Sequence, residues 1–177
     1  GALTQSGAFV VSNNAAIDAL SATLTQNNDF NTLSLEGGSA QVNDINAVVL
    51  GASNLSGALT VTTAGHITQS GALDINGAAS FTATGADITL DNNGNDFTSL
   101  ALNAVNAVVE DSTALELAVS GITNALTITT GGNLTQSGAI DVNGATVLAV
   151  TGDITLENAA NDLTSLNATA TNISVTD

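Results

Sequence analysis

The residues able to do chemistry in this chain are almost all carboxylates. Lys and Arg number zero and Cys and Tyr are absent, against 16 Asp plus Glu and one His. Two carboxylates at the right separation can serve as acid and base in glycoside hydrolysis. Adjacent Glu110-Asp111 is therefore the first pair to weigh. Most acids, however, recur along the chain: Asp74 with Asp141, Asp87 with Asp153, Asp91 with Glu157, and Asp29 with Asp96 and Asp162. A catalytic site is singular, so recurring acids read as turn and solvation residues. The acids that show no copy are Asp18, Glu36, Asp44, Glu110, Asp111 and Glu116, and Glu110-Asp111 reads as a solvated corner. His66 aligns with Ala2 and Asn133, so the pattern does not require it, and no Ser-His-Asp arrangement surrounds it. A polysaccharide lyase typically draws its base from Arg or Lys, and neither occurs. No catalytic residue is assigned, and the chain is not expected to be an enzyme.

Calcium is the other chemistry that so many Asp and Asn residues bring to mind. Asp91-Asn92-Asn93-Gly94-Asn95-Asp96 has some of the character of a calcium loop but lacks the Gly and Glu at the required places. Its copy, Glu157-Asn158-Ala159-Ala160-Asn161-Asp162, has lost two polar positions. Gly37-Gly38-Ser39-Ala40-Gln41 and Gly131-Gly132-Asn133-Leu134 both fail the Gly-Gly-x-Gly-x-Asp pattern of calcium-binding solenoids. The expectation is no cofactor-binding residue and no specific metal site, with only loose, non-specific divalent cation binding by an acidic surface.

What positions these residues is a repeat. Gly1-Ala2-Leu3-Thr4-Gln5-Ser6-Gly7 returns as Gly65-His66-Ile67-Thr68-Gln69-Ser70-Gly71 and again as Gly132-Asn133-Leu134-Thr135-Gln136-Ser137-Gly138, at offsets of 64 and 67. Finer anchors stand at Leu3, Leu24, Val48, Ile67, Ile88, Val108, Leu134, Ile154 and Ile173. Read as one anchor per unit, they give about eight units of roughly 22 residues, too short for a helical hairpin and suited to one coil of a β-solenoid. Three such units make a super-repeat, dividing the single segment 1–177 into 1–64, 65–131 and an incomplete 132–177. The Val108-to-Leu134 step is the longest, and Gly121 to Asn124 reads as its insertion.

Local chemistry agrees. Leu59-Thr60-Val61-Thr62 and Leu126-Thr127-Ile128-Thr129 alternate in and out as strands do. Asn76-Gly77 and Asn143-Gly144 supply corners. There is no Pro to withhold an N–H from a neighbouring coil. The sets Phe9/Leu73/Ile140, Ile17/Phe81/Val147 and Phe30/Phe97/Leu163 keep apolar character from copy to copy and are predicted to face inward. Four Phe and no Trp or Tyr make no stacking platform for bases or sugar rings.

A formal charge of −16 repels nucleic acid and anionic lipid. No run of 18 apolar residues offers a membrane span. A chain without Lys, Arg, Cys or Met presents no trypsin site and few oxidisable groups, which suits an extracellular setting. It begins inside a repeat without an initiator Met, so it is expected to be a segment of something longer.

The units GALTVTTAGHITQSGALDINGAASFTATGADITLDNNGNDFTSL (57–100) and NALTITTGGNLTQSGAIDVNGATVLAVTGDITLENAANDLTSL (124–166) resemble the repeats of filamentous-haemagglutinin-like adhesins of two-partner secretion systems, over essentially the whole chain. The resemblance implies a right-handed parallel β-helix at a bacterial cell surface. It also implies a role as a long structural or adhesive fibre. The expected function is that of a structural shaft segment, with a glycan- or receptor-binding adhesive segment as the alternative and a polysaccharide-degrading β-helix behind both. The expected partners are adjacent repeats of the same chain or identical chains head to tail, with glycans or other cells beyond them.

Overall fold

Runs such as Leu59-Thr60-Val61-Thr62-Thr63 send alternate side chains to opposite faces, a pattern that an extended backbone accommodates. In the computed structural model, which describes residues 1–177, this run is the strand Leu59–Thr63. Leu59 and Val61 are fully buried, while Thr60 and Thr62 are half-exposed. Each strand then pairs in parallel with the one a coil later. Val42 lies beside Val61, Val61 beside Phe81, and Phe81 beside Leu102. Repeated throughout, this pairing joins 18 strands into a β-solenoid of about nine coils with no helix. The stacked all-β fold that the repeats predict is the fold the chain adopts.

The coil is shorter than the spacing of the anchors suggests. Ile67 sits beside Val48 and Ile88 beside Ile67, offsets of 19 and 21. The extremes are 17, between Thr32 and Val49, and 22, between Ile75 and Phe97. Coils of this size fit about nine times into the chain, where the anchors had given eight.

Each coil lays a strand segment on each of three faces. On the first face stand Val48–Leu50, Ile67–Gln69, Ile88–Leu90, Ala107–Asp111 and Leu126–Thr130, followed by residues 146–150. On the second are Ser53–Leu55 and residues 73–75 and 96–97. Leu115–Leu117 then pairs with Ser99 and Leu100, at the bend between the second and third faces, and carries the second-face column on through Leu134–Gln136, Ile154–Leu156 and Ile173–Val175. On the third are Leu59–Thr63, residues 79–83 and 100–104, Ser120–Ile122, and residues 140–142 and 162–163.

The sequence repeat and the coil do not share a period. Ser53 and Ser120 are copies at an offset of 67. Coil offsets of 20, as from Leu59 to Ala79 and from Leu126 to Thr146, make that about three and a third coils. A copy therefore lands one face further round. Ser53–Leu55 is on the second face and its copy Ser120–Ile122 on the third. Leu59–Thr63 is on the third and its copy Leu126–Thr130 on the first. Ile67–Gln69 is on the first and its copy Leu134–Gln136 on the second. Each super-repeat is turned by a third of a revolution relative to the last.

This geometry corrects several sequence-based expectations. The long unit from Val108 to Leu134 is no single coil, because Val108 belongs to the first face and Leu134 to the second. Gly121 to Asn124 is no insertion, since Gly121 lies in the strand Ser120–Ile122 between Asn103 and Asp141. Val108 points outward, while Ala107 and Val109 fill the core; Val147 points outward, and Leu148 takes the inward place. The remaining anchors from Leu24 to Ile154 are buried, but Ile173 on the last coil is half-exposed. Phe30, Phe97 and Leu163 are buried as expected; Phe9, on the first coil, is partly exposed but meets Phe30 edge to face at 6.3 Å.

The stabilising terms can be ranked. Forty buried apolar residues form one continuous core, and each Leu, Ile or Phe among them is worth roughly 1.5–3 kcal/mol. The contact between His66 and the Asp87 carboxylate is long, at 3.7 Å, and exposed, so it adds little beside the core. Burial and the backbone ladders hold the shaft together. Close coil packing also sets local chemistry: Gly37 has φ 125°, and a Cβ there would strike the carbonyl of Ala19 one coil below.

Candidate functional site

The polar residues inside the solenoid form a clamp that recurs with the super-repeat. Asn95 is fully buried at the end of a corner. Its Nδ2 donates to Gln69 Oε1 at 3.0 Å, Leu90 O at 3.1 Å and Glu110 O at 3.0 Å. Its Oδ1 accepts from Gln69 Nε2 at 2.8 Å and from Leu73 N–H at 2.9 Å. Asn28 makes the same set with Gln5, Leu24, Asn43 and Phe9. Asn161 makes it with Gln136, Leu156, Thr176 and Ile140. One amide thus ties three successive coils together where the corner leaves backbone groups without ladder partners.

A carboxylate completes each clamp. Phe30 N–H donates to Asp44 Oδ2 at 2.7 Å, Phe97 N–H to Asp111 Oδ2 at 2.7 Å, and Leu163 N–H to Asp177 Oδ1 at 2.7 Å. Asp44, Asp111 and Asp177 are therefore structural copies, which corrects the reading of Asp44 and Asp111 as unrepeated. Asp111 is also no solvated corner: it is buried, and its Oδ1 accepts from Thr113 N–H at 2.9 Å. Burial raises the carboxyl of Asp111 above its ordinary value of 3.8, the N–H groups of Phe97 and Thr113 oppose the rise, and the charge of Asp96 adds to it. Asp44 is raised in the same way: burial acts first, Phe30 and Asn46 oppose it, and Asp29 reinforces it. Asp44 and Asp111 each engage both oxygens with backbone N–H groups.

The other residues singled out from the sequence are dispersed. Asp96 follows the second face and Asp162 the third, so these copies do not converge. No three His, Asp or Glu side chains come together as a metal-ion site. His66 is exposed and accepts from Asp87 N–H through Nδ1 at 3.1 Å. Within the loop from Asp91 to Asp96, Asn92 and Asn95 are engaged with the chain itself.

Two surface grooves are copies of each other. One of ≈ 370 Å³ is lined by Ile17, Leu35 and Ser53 among others, and one of ≈ 520 Å³ by their copies Phe81, Leu102 and Ser120. They form on short coils: Thr32 to Val49 and Ser99 to Glu116 are offsets of 17, and Glu36 to Asn54 and Asn103 to Gly121 are offsets of 18. A short coil leaves a ladder N–H without its carbonyl. The Ser53 hydroxyl accepts from Leu35 N–H at 3.0 Å and donates to Gly51 O, and the Ser120 hydroxyl does the same with Leu102 N–H at 3.1 Å and Ala118 O. Neighbouring residues have adjusted together. A Cβ at Gly51 would strike the Ser34 hydroxyl, and where the copy of Gly51 is Ala118, the copy of Ser34 is Ala101. The first groove carries Asp18 and Glu36, whose copies in the second are Thr82 and Asn103, leaving Asp141 as the acid there. Sequence reading missed both grooves, because only the coil register reveals the shortening.

Fold and interior together define a repeat-built β-solenoid. The chain belongs to the family described as repeats of unknown function (DUF5649), whose model matches residues 37–104 and again residues 103–172. Each match spans one super-repeat, in a different phase from the 1–64, 65–131, 132–177 division. No curated protein and no solved structure matches the chain.

Proposed function

We propose that the chain is a shaft segment of an extracellular or cell-surface fibre, catalytically inert, whose work is to provide length and stiffness. The observation that carries this reading is the clamp. The same buried Asn, with its Gln and Asp, recurs at Asn28, Asn95 and Asn161. The most constrained polar chemistry in the molecule is thus spent on joining coil to coil. The absence of Lys, Arg, Cys and Met supports a setting where proteases and oxidants are met. Stacking proceeds through further repeats of the same chain or through copies head to tail, a heterologous contact that extends rather than closes. An adhesin of the filamentous-haemagglutinin-like kind, exported by two-partner secretion, is the finer form of this proposal; the resemblance of residues 57–100 and 124–166 supports it.

Electron microscopy of the purified chain tests the proposal. About nine coils at ~4.8 Å each give a rod of roughly 43 Å per chain, and unbranched rods at multiples of that length are expected. Release of reducing ends from polygalacturonate or a similar polymer would instead make the chain an enzyme.

A further inference from the structure

We propose that the groove at Asp18 and Glu36 is a docking pocket for a lysine side chain of a partner protein. Its lining is of short side chains, the aliphatic Ala16, Ile17, Leu35 and Ala52 alternating with Ser34, Ser53 and Asn54, and Asp18 and Glu36 are its exposed acids. A lysine has a four-carbon stem that packs on such walls and an ammonium that donates only, while a carboxylate accepts only. The groove has no aromatic face on which a guanidinium would stack. The partner is a different protein, because this chain contains no Lys or Arg and a second copy has no such cation to offer. The single His is engaged with Asp87. A net charge of −16 draws basic partners towards the shaft from a distance. The copy groove at Ser120 supplies an internal comparison, since Thr82 and Asn103 replace the two acids there and only Asp141 remains.

The probe is a capped Ala-Ala-Lys-Ala-Ala peptide, titrated into the isotope-labelled full chain at near-physiological salt and followed by backbone amide shifts. Saturable shifts centred on residues 16–18, 34–36 and 52–54 are expected, with weaker ones at the copy groove. The Asp18→Asn/Glu36→Gln variant should weaken binding about tenfold or more. Both acids are exposed, so the substitutions empty no core position. An Asp153→Asn/Asp162→Asn variant, which removes the same charge elsewhere, should bind as the parent does, and the Nε-acetyl-lysine peptide should not bind. The proposal is overturned if the two variants weaken binding equally, which is diffuse attraction to an acidic rod. It is equally overturned if the acetylated peptide binds as well, if shifts do not saturate, or if calcium chloride shifts these amides while the peptide does not. None of these outcomes bears on whether the chain forms rods, so the shaft reading stands or falls separately.

Discussion

Asp44 and Asp111 are buried carboxyls held by backbone N–H groups, and their titration should shape the stability of the whole chain. Their folded values are raised above 3.8, mainly by burial. A raised carboxyl binds its proton more tightly in the folded state, so its contribution to stability is fully present below 3.8 and is lost as pH rises through the folded value. Urea midpoints taken from about pH 3 to about pH 7 should fall as pH rises. In the Asp44→Asn/Asp111→Asn double variant that slope should flatten; an unchanged slope would assign the effect to other acids. Thr146 presents the opposite case. It occupies an inward place between Leu126 and Leu166, and its hydroxyl has no hydrogen-bond partner. Thr146→Val keeps the shape and removes the stranded hydroxyl, so it should stabilise the chain by about 1 kcal/mol. A loss of stability would show that Thr146 Oγ1 is satisfied in solution.

A strand in this fold is defined by which of two alternating sets faces the core, and a shift by one residue exchanges them. The segment from Thr146 to Val150 shows how closely this is decided. Val147 and Leu148 are both apolar, yet Val147 is 38% exposed and Leu148 is 2% exposed. Leu148 stacks on Ile128 in the column of inward side chains on the first face. Leu148→Asp should therefore cost several kcal/mol by burying an unpaired carboxylate, while Val147→Asp should stay within about 1 kcal/mol. Thermal melts of the two variants decide the point, and an inverted ranking would mean the register is wrong. The ladder bonds of such a strand cannot select the register by themselves, because they form equally well with either set inward.

Along the whole molecule, charge is the term that the environment can tune. On the second face Glu36, Asn54, Asp74 and Asp96 stand in successive coils, and on the third Asp141 adjoins Asp162. Neighbouring coils are ~4.8 Å apart, inside the ~8 Å screening length of physiological salt, and like charges directly opposite destabilise a sheet. The melting temperature at pH 7 should accordingly rise between about 20 mM and about 500 mM NaCl. A fall would show that these columns are not under repulsion. The rotation of the super-repeat spreads such columns over more than one face, so the acids do not gather into a single stripe along the rod.

The amino-acid sequence by itself determined that the chain is β-structured, stacked and repetitive. Alternation, the absence of Pro and corners such as Asn76-Gly77 and Asn143-Gly144 are local properties, and local chemistry suffices to specify them. The tertiary structure alone decided the coil. A residue's hydrogen-bonding neighbour lies 17 to 22 positions away, as Thr32 to Val49 and Ile75 to Phe97 show, whereas its copy lies about 67 away. Because the longer spacing is not a whole number of coils, the copies seen in the sequence never stack on one another. That is why Val108 resembled an anchor, why Gly121 resembled an insertion, and why Asp44 and Asp111 escaped recognition as a pair. Their flanking residues differ, Asn43-Asp44-Ile45 against Glu110-Asp111-Ser112. What persists is a separation of 14 from Phe30, Phe97 and Leu163 to the acids that receive their N–H groups. That spacing was present in the sequence, but it acquires meaning only when closure of the coil brings the two ends of each such step together.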